Sequence, residues 1–103
     1  MAGFYDLSVL LDQAIKAFSN REFLTATEIF GKICIHYPEN WSARYFHAMA
    51  LSAIGDFSDA REQLIHITKN SEELVWHQVA RSGLCLVNTK EQNLRQSLAG
   101  LMT

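Results

Sequence analysis

Proline is almost missing from this chain: Pro38 is the one proline among 103 residues. Proline is the strongest breaker of helices. A chain with so little of it, of which 49% is hydrophobic, can therefore form long amphipathic helices. The length suits a single small domain of about three helical hairpins. The composition thus favours one helical domain over residues 1–103.

The sequence lacks the features that usually indicate a nucleic-acid partner, a membrane segment or secretion. The chain has 9 basic and 11 acidic residues and no basic run, so nucleic acid is not expected as a partner. It has no apolar run of the roughly 18 residues that cross a membrane. Its N-terminus also lacks the basic and apolar regions of a signal peptide. These features predict a cytoplasmic protein without membrane insertion.

Cysteine is scarce as well. Cys34 and Cys85 are the two cysteines, and neither belongs to a CxxC motif. Two are too few for the disulfide framework of a small secreted domain. Both fall on the apolar faces of presumed helices, which predicts buried free thiols, with a bridge between them as the alternative.

Signatures of catalysis and of metal binding are missing too. The four histidines, His36, His47, His66 and His77, are never three or four residues apart, so no single helix presents a metal-binding pair. The sequence has no glycine-rich phosphate loop and no GxSxG motif. We expect the histidines to be half-buried helix residues, and we expect neither a cofactor nor an enzymatic activity. An enzyme would need a cluster of histidine and acidic side chains that the sequence does not show.

What the sequence does contain is a repeat. Residues 20–38 and 54–72 carry the same sparse pattern at a spacing of 34 residues. Phe23 recurs as Phe57, Ala26 as Ala60, Phe30 as Leu64, Ile33 as Ile67 and, one turn upstream, Ala14 as Ala48. The pattern and its period resemble the tetratricopeptide repeat, a helix-turn-helix unit that stacks on its neighbours. The first copy has Arg21 where the family has a turn glycine, and the second lacks a closing proline.

The resemblance implies an all-α stack of about three repeats, at 7–38, 41–72 and, in degenerate form, 72–102. Six helices are expected. The first four cover about 6–19, 22–36, 40–54 and 58–69, with Asn40 as an N-cap and Gly55 as the left-handed residue that ends the third. The fifth begins in the polar segment 70–73 and ends near Val87.

The third hairpin departs most from the family pattern. Gly83 would be the small residue at a close helix contact, one residue out of the spacing of 34. Thr89 with Gln92 forms a capping box, which predicts a sixth helix over 90–101. That helix would carry a stripe of Leu94, Leu98 and Leu101, and it would either cap the stack or bind a partner.

In the tetratricopeptide family, ligands contact the concave face, which is lined mainly by the first helix of each repeat. The corresponding positions are Ser8, Leu11, Ile15, Phe18 and Ser19 in the first repeat, and Ser42, Tyr45, Met49, Ser52 and Ala53 in the second. Seven of them are the predicted partner-binding residues: Ser8, Leu11, Ile15, Phe18, Tyr45, Met49 and Ser52. This surface is apolar and aromatic, and it lacks the Lys, Asn and Arg side chains that bind a client carboxylate in some members. The resemblance thus predicts a groove for an amphipathic helix or an extended apolar segment.

The same apolar stripe has a simpler interpretation. Leu11, Ile15 and Phe18 lie at helical spacing, and such a stripe is usually core. They would be core here if residues 1–5 or the last helix folded back over the groove.

A narrower resemblance concerns the small tetratricopeptide chaperones of bacterial type III secretion. It rests on the run Phe30-Gly31-Lys32-Ile33-Cys34, Pro38, Tyr45-Phe46, Ala50, Gly55-Asp56-Phe57 and Ala60. The resemblance implies a virulence-associated cytoplasmic chaperone that masks an apolar segment of a secretion subunit. It leaves open a second small chaperone as a further partner, and it leaves open oligomerisation. The alternative function is a structural adaptor or oligomerising subunit that uses Leu94, Leu98 and Leu101.

Overall fold

The computed structural model describes residues 6–102. Within that range the chain forms five α-helices and no strand. They are α1 (Leu7–Ser19), α2 (Phe23–His36), α3 (Trp41–Ala53), α4 (Phe57–Asn70) and α5 (Leu74–Met102). Each helix packs on the next along the chain, and α5 also packs on α3. The predicted all-α repeat stack is thus confirmed, and the first four helices lie within one or two residues of their expected bounds.

Side-chain caps fix the starts of three helices. The carboxylate of Asp6 accepts a hydrogen bond from the Ser8 N–H at 3.1 Å and caps α1. The side-chain oxygen of Asn40 accepts one from the Ala43 N–H at 3.0 Å, which confirms the predicted N-cap of α3. Asp56 caps α4 in the same manner. Each cap satisfies a backbone donor that has no partner within the helix.

The residues that recur at a spacing of 34 form the core. Two apolar clusters exist, one between α1, α2 and α3, the other between α3, α4 and α5. Eight of the ten recurring residues are fully buried: Ala14, Ala48, Ala26, Ala60, Phe30, Leu64, Ile33 and Ile67. Trp41 and Trp76 pack against the second cluster.

The start of the last helix differs from the prediction. Asn70 is the final residue of α4, and its side-chain amide donates to the His66 carbonyl oxygen at 2.9 Å. Asn70 therefore satisfies an acceptor at the end of one helix and does not cap the start of the next. The Ser71 hydroxyl accepts from the Glu73 N–H at 3.2 Å in the intervening turn, and α5 begins at Leu74.

The predicted third hairpin is wrong. A single helix of 29 residues replaces the expected pair, and it runs through Thr89 without a break. No glycine or proline lies between Gly83 and Gly100, so nothing opposes the helical conformation there. An ion pair also holds this region to α4, because Arg61 contacts Glu91 at 2.8 Å.

Gly83 is confirmed as the small residue at a close helix contact. A Cβ atom on Gly83 would lie 3.0 Å from Leu64 Cδ2 and 3.1 Å from Tyr45 Cε2. The backbone of α5 thus approaches the side chains of α3 and α4 as closely as a residue without a Cβ allows.

Beyond Glu91, α5 extends past the stack. All residues from Gln92 to Leu101 are exposed, and we call this segment the α5 extension (residues 92–101). Its exposed leucines, Leu94 and Leu98, continue the face on which Val87 is buried, about two and three helical turns further on.

Candidate functional site: an apolar groove beside the α5 extension

A groove of about 500 Å³ lies where α1 and α3 end and α5 runs past them. We call it the groove. Its lining residues are Phe18, Phe23, Met49, Ser52, Ala53, Leu86, Thr89, Lys90 and Asn93. One wall comes from the ends of α1 and α3 and the start of α2, and the opposite wall comes from α5.

Edge-to-face aromatic contacts hold the first wall in place. The ring of Phe18 lies 5.4 Å from that of Phe23 and 5.8 Å from that of Phe46, in both cases in a T-shaped arrangement. Phe46 in turn stacks on the buried Phe30 at 5.9 Å. Such contacts contribute about 0.5–1.5 kcal/mol per pair beyond burial. Phe18 is therefore fixed by the core on one side while it lines the groove on the other.

The opposite wall carries the polar rim. Thr89, Lys90 and Asn93 project from α5, close to the exposed side chain of Leu86. Among the described residues that line the groove none is acidic, so Lys90 gives the rim a single positive charge. The groove can therefore accept an apolar surface with a neutral or acidic edge.

Three of the seven concave-face residues predicted as partner-binding lie together in the groove. Phe18 and Met49 are half-buried there, and Ser52 lines the floor with its side chain almost fully buried. Ala53, from the wider set of positions, lines the groove as well.

The other four predicted residues lie elsewhere. Leu11 is half-buried against the first core cluster, and Tyr45 packs against the second, so both serve the core in this chain. Ser8 and Ile15 are exposed on α1 outside the groove lining, Ile15 at 50%.

The second wall is what the sequence interpretation missed. Leu86, Lys90 and Asn93 share one face of α5 because they are four and three residues apart. A helix break near Thr89 was expected to separate them. Had that helix been read as continuous, the same spacing would have indicated one face. The repeat pattern predicts Phe23 as a core residue, but its side chain also lines the groove.

The last helix does not fold back over the groove, which was one condition for the simpler core interpretation. The α5 extension is exposed along its whole length and leads away from the stack. The other condition concerned residues 1–5, which lie outside the described residues. No segment within residues 6–101 covers the groove.

The thiols and imidazoles show a different arrangement from that expected. Cys34 is a buried free thiol as predicted, but Cys85 is exposed, which corrects the prediction for that residue. His47, His66 and His77 are half-buried, as expected, whereas His36 is exposed.

Cys34 and His47 lie together, with Sγ and Nδ1 3.9 Å apart. Burial raises the pKa of Cys34, although the nearby Arg44 charge opposes this shift. Burial, and secondly Arg44, lowers the pKa of His47. Both shifts favour the neutral thiol and the neutral imidazole, so this pair lacks the thiolate of an activated nucleophile.

Within residues 6–102, no three histidine, cysteine or acidic side chains come together as a metal site. The helices of the described region include none with the length and apolar character needed to cross a membrane. Comparisons with protein families, with curated proteins and with solved structures gave no match.

Proposed function

We propose that this protein is a non-enzymatic interaction module that holds an apolar segment of another protein in the groove. The observation that carries the proposal is the apolar wall of the groove, which is formed by Phe18, Phe23 and Met49. No described residue covers this wall, and α5 lies opposite it. Large uncovered apolar surfaces on a folded domain usually mark an interaction site. Met49 adds an adaptable side chain, which suits a surface that fits a partner by repacking.

An amphipathic helix is the occupant that best matches the groove. Two or three aliphatic anchors buried against the aromatic wall would each contribute about 1.5–3 kcal/mol before the costs of association. The polar rim of Thr89, Lys90 and Asn93 would then face the polar edge of the bound helix. This arrangement is helix-in-groove recognition, in which residues at i, i+3, i+4 and i+7 serve as anchors.

The most specific form of the proposal is a small cytoplasmic holding chaperone of the type III secretion kind. Its support is the sequence resemblance described above, together with the open groove. Masking the apolar segment would keep the client unassembled until export. The client in that case is a secreted or polymerising subunit.

The first experiment is a tagged purification from the native host, with mass spectrometry of proteins recovered at a one-to-one ratio. It should be run in parallel on Leu86→Glu and Leu74→Glu. Both leucines are exposed on α5, at 58% and 71%, so neither change should unfold the protein. Leu86 lines the groove, and Leu74 does not.

The proposal predicts a client that binds the wild-type protein and the Leu74→Glu variant and is lost from Leu86→Glu. Introducing a charge into the apolar contact should weaken binding by at least about tenfold, since an unpaired buried charge costs more than 1.4 kcal/mol. A client retained equally by both variants would show that the groove is not the binding surface.

The α5 extension supports a second candidate function, that of an oligomerising subunit. Leu94, Leu98 and Leu101 form an exposed stripe on the part of α5 that extends beyond Glu91. Under this proposal the purified protein forms a defined homo-oligomer without client. Leu98→Glu would convert it to a monomer, as measured by sedimentation velocity, whereas Leu86→Glu would not.

A further inference from the structure

The α5 extension carries an exposed leucine stripe. Leu94, Leu98 and Leu101 are 47%, 52% and 83% exposed. They lie at positions i, i+4 and i+7 of a continuous helix, so they share one face. Aliphatic anchors at this spacing are the pattern with which an amphipathic helix docks into an apolar groove. The extension therefore has the anchor pattern of the occupant proposed for the groove.

The extension cannot reach the groove of its own chain. Asn93 lines that groove, and Leu94 is the next residue of the same helix. Leu101 lies about 10 Å further along the helix axis than Leu94, at 1.5 Å per residue. The stripe would return to its own groove only if α5 broke just after Asn93. Neither glycine nor proline lies between Asn93 and Leu98 to cause such a break. The groove of a second copy has no such constraint.

The spacing of the leucines along α5 fits a two-fold arrangement of two copies. Leu86, which lines the groove, precedes Leu94 by about 12 Å along the helix axis, and Leu101 follows Leu94 by about 10 Å. If two α5 helices cross antiparallel near Leu94, then Leu101 of each copy comes opposite Leu86 of the other. A two-fold interface requires this self-complementarity, because every contact in it occurs twice. One arrangement thus fills both grooves.

The charges on this part of α5 do not oppose the pairing. Between Leu86 and Leu101 the charged residues are Lys90, Glu91 and Arg95. Glu91 contacts Arg95 of its own helix at 3.5 Å and Arg61 of α4 at 2.8 Å. Lys90 lies at the polar rim of the groove. Because Arg95 is the single charged residue between 92 and 101 and is paired within its own chain, docking of the stripe buries no unpaired charge.

The area of the contact predicts weak association. Burying a whole leucine side chain removes roughly 100 Å² from water. Leu86 and the three leucines of the stripe each expose about half of their surface or more, so two copies would bury roughly 500 Å² of leucine surface. The aromatic wall and the polar flanks bring the total to the order of 1,000 Å², at the low end of specific interfaces. Such a dimer is reversible, and a client helix can displace it.

We propose that in the client-free protein the α5 extension of one copy occupies the groove of a second copy, in a two-fold dimer. The leucine stripe packs against the wall of Phe18, Phe23 and Met49, and Leu101 packs against Leu86 of the other copy. This self-association needs no client. Its competition with a client for the groove rests on the function proposed above.

The test is sedimentation velocity of the purified full-length protein over a wide concentration range, without client. The wild-type protein should show a monomer–dimer equilibrium. Leu98→Glu and Leu86→Glu should each raise the dimer dissociation constant at least about tenfold, because each puts a charge into an apolar contact. Leu74→Glu, at an exposed position on α5 outside both surfaces, should leave it unchanged. All three side chains are exposed, so the circular dichroism of the variants should match that of the wild type.

Leu86→Glu distinguishes this dimer from pairing of the two extensions with each other. Dissociation by Leu98→Glu but not by Leu86→Glu would overturn docking in the groove. A wild-type protein that stays monomeric at every concentration, or a dimer that survives Leu98→Glu, would overturn it as well. The proposed client function has a separate outcome. A dimer for which the native host yields no client contradicts that function and supports this inference, whereas a client bound by a protein that is monomeric alone does the reverse.

A disulfide cross-link tests the two-fold arrangement independently. In a Cys85→Ser background the remaining native thiol, Cys34, is buried. Leu94→Cys in this background places two thiols beside the two-fold axis, and mild oxidation should join them. Leu74→Cys lies about 30 Å away along α5 and should not cross-link. If Leu94→Cys does not cross-link at a concentration where that variant sediments as a dimer, or if both variants cross-link equally, the antiparallel crossing at Leu94 is wrong.

Discussion

Arg21 and Gly55, 34 residues apart, adopt the same left-handed backbone conformation, with φ angles of 63° and 87°. The hydrogen bonds around them are the same. Arg21 N–H donates to Phe18 O, and Gly55 N–H to Ser52 O, at 3.1 Å in each case, and the following residue bonds one position further back. This is the Schellman motif, which usually has glycine at this position. The first repeat thus keeps the turn but places a side chain where the conformation is costly.

Replacing Arg21 with glycine should therefore stabilise the protein. Relief of the left-handed strain is worth about 1–2 kcal/mol, and the greater freedom of glycine in the unfolded chain offsets up to about 1 kcal/mol of it. A net gain of roughly 0.5–1 kcal/mol is expected in urea unfolding. Gly55→Ala is the matched control. No atom lies within 4 Å of the added Cβ, so any loss, about 1 kcal/mol, reflects the backbone alone. A stability loss in Arg21→Gly would contradict this account.

The first four helices could be predicted because their signals are local and occur twice. Four of the five recurring pairs, such as Phe30 and Leu64, are fully buried at the same place in each repeat. Two copies in phase reinforce each other, so the core followed from the sequence alone. The caps at Asn40 and the turn at Gly55 are likewise short-range features, and both are confirmed.

The second wall of the groove could not be predicted because it depends on a contact across the fold. Thr89 and Gln92 match a capping box, but they lie inside a helix that Arg61 of α4 holds at Glu91. The local capping box thus does not start a new helix, because α5 continues through it and an ion pair holds it against α4. The same uncertainty of helix phase placed Cys85 on a buried face, whereas it is exposed.

Gly83→Ala should destabilise the protein despite the higher helix propensity of alanine. The propensity gain is about 0.8–1 kcal/mol, but overpacking of a filled site costs about 1–3 kcal/mol. The new Cβ would lie 3.0 and 3.2 Å from the two Cδ atoms of Leu64, which is fully buried, so its displacement would disturb the surrounding core. We expect a net loss of roughly 1 kcal/mol in thermal unfolding.

Gly100→Ala is the control for this prediction, because an added Cβ there has no neighbouring atom within 4 Å. It should leave stability unchanged or raise it by a few tenths of a kcal/mol, as expected near a helix end. Equal effects of the two substitutions would show that α5 does not approach Leu64 and Tyr45 closely.

The contact between Arg61 and Glu91 should stabilise the packing of α5 on α4, and this stabilisation should depend on pH. The hydrogen bond from Arg61 lowers the pKa of Glu91. A lowered carboxylate pKa stabilises the folded state above the unfolded value of about 4.3, and this contribution is lost as the pH falls through the folded pKa. The protection factors of the amides of residues 88–91, in which the intrinsic pH dependence of exchange is divided out, should therefore fall on acidification in the wild-type protein. Glu91→Gln should exchange faster already at pH 7, and a pH-independent difference between the two would contradict the role of the ion pair.

The two thiols should differ strongly in reactivity. Cys85 is exposed and should react with iodoacetamide in the native state at the rate of a free thiol. Cys34 is buried and its pKa is raised by that burial, so less thiolate forms and the reagent has less access, and we expect its native rate to be at least about tenfold lower. Peptide mapping of the alkylated protein measures both rates, and denaturant should equalise them. Comparable native rates would place Cys34 at the surface.

Deleting residues 94–103, which keeps Asn93 in the groove, should leave the stack as stable as before. The α5 extension is exposed throughout, so its removal takes away almost no buried apolar area, and we expect a change within about 0.5 kcal/mol. For comparison, Val87→Ala, at a buried position one turn before Glu91, should cost roughly 2 kcal/mol through the cavity it leaves. A large loss on truncation would mean that the extension contacts the stack in solution. If stability is retained, the truncated protein also separates the two candidate functions, since client binding in the groove should persist while any oligomer formed through Leu94 and Leu98 dissociates.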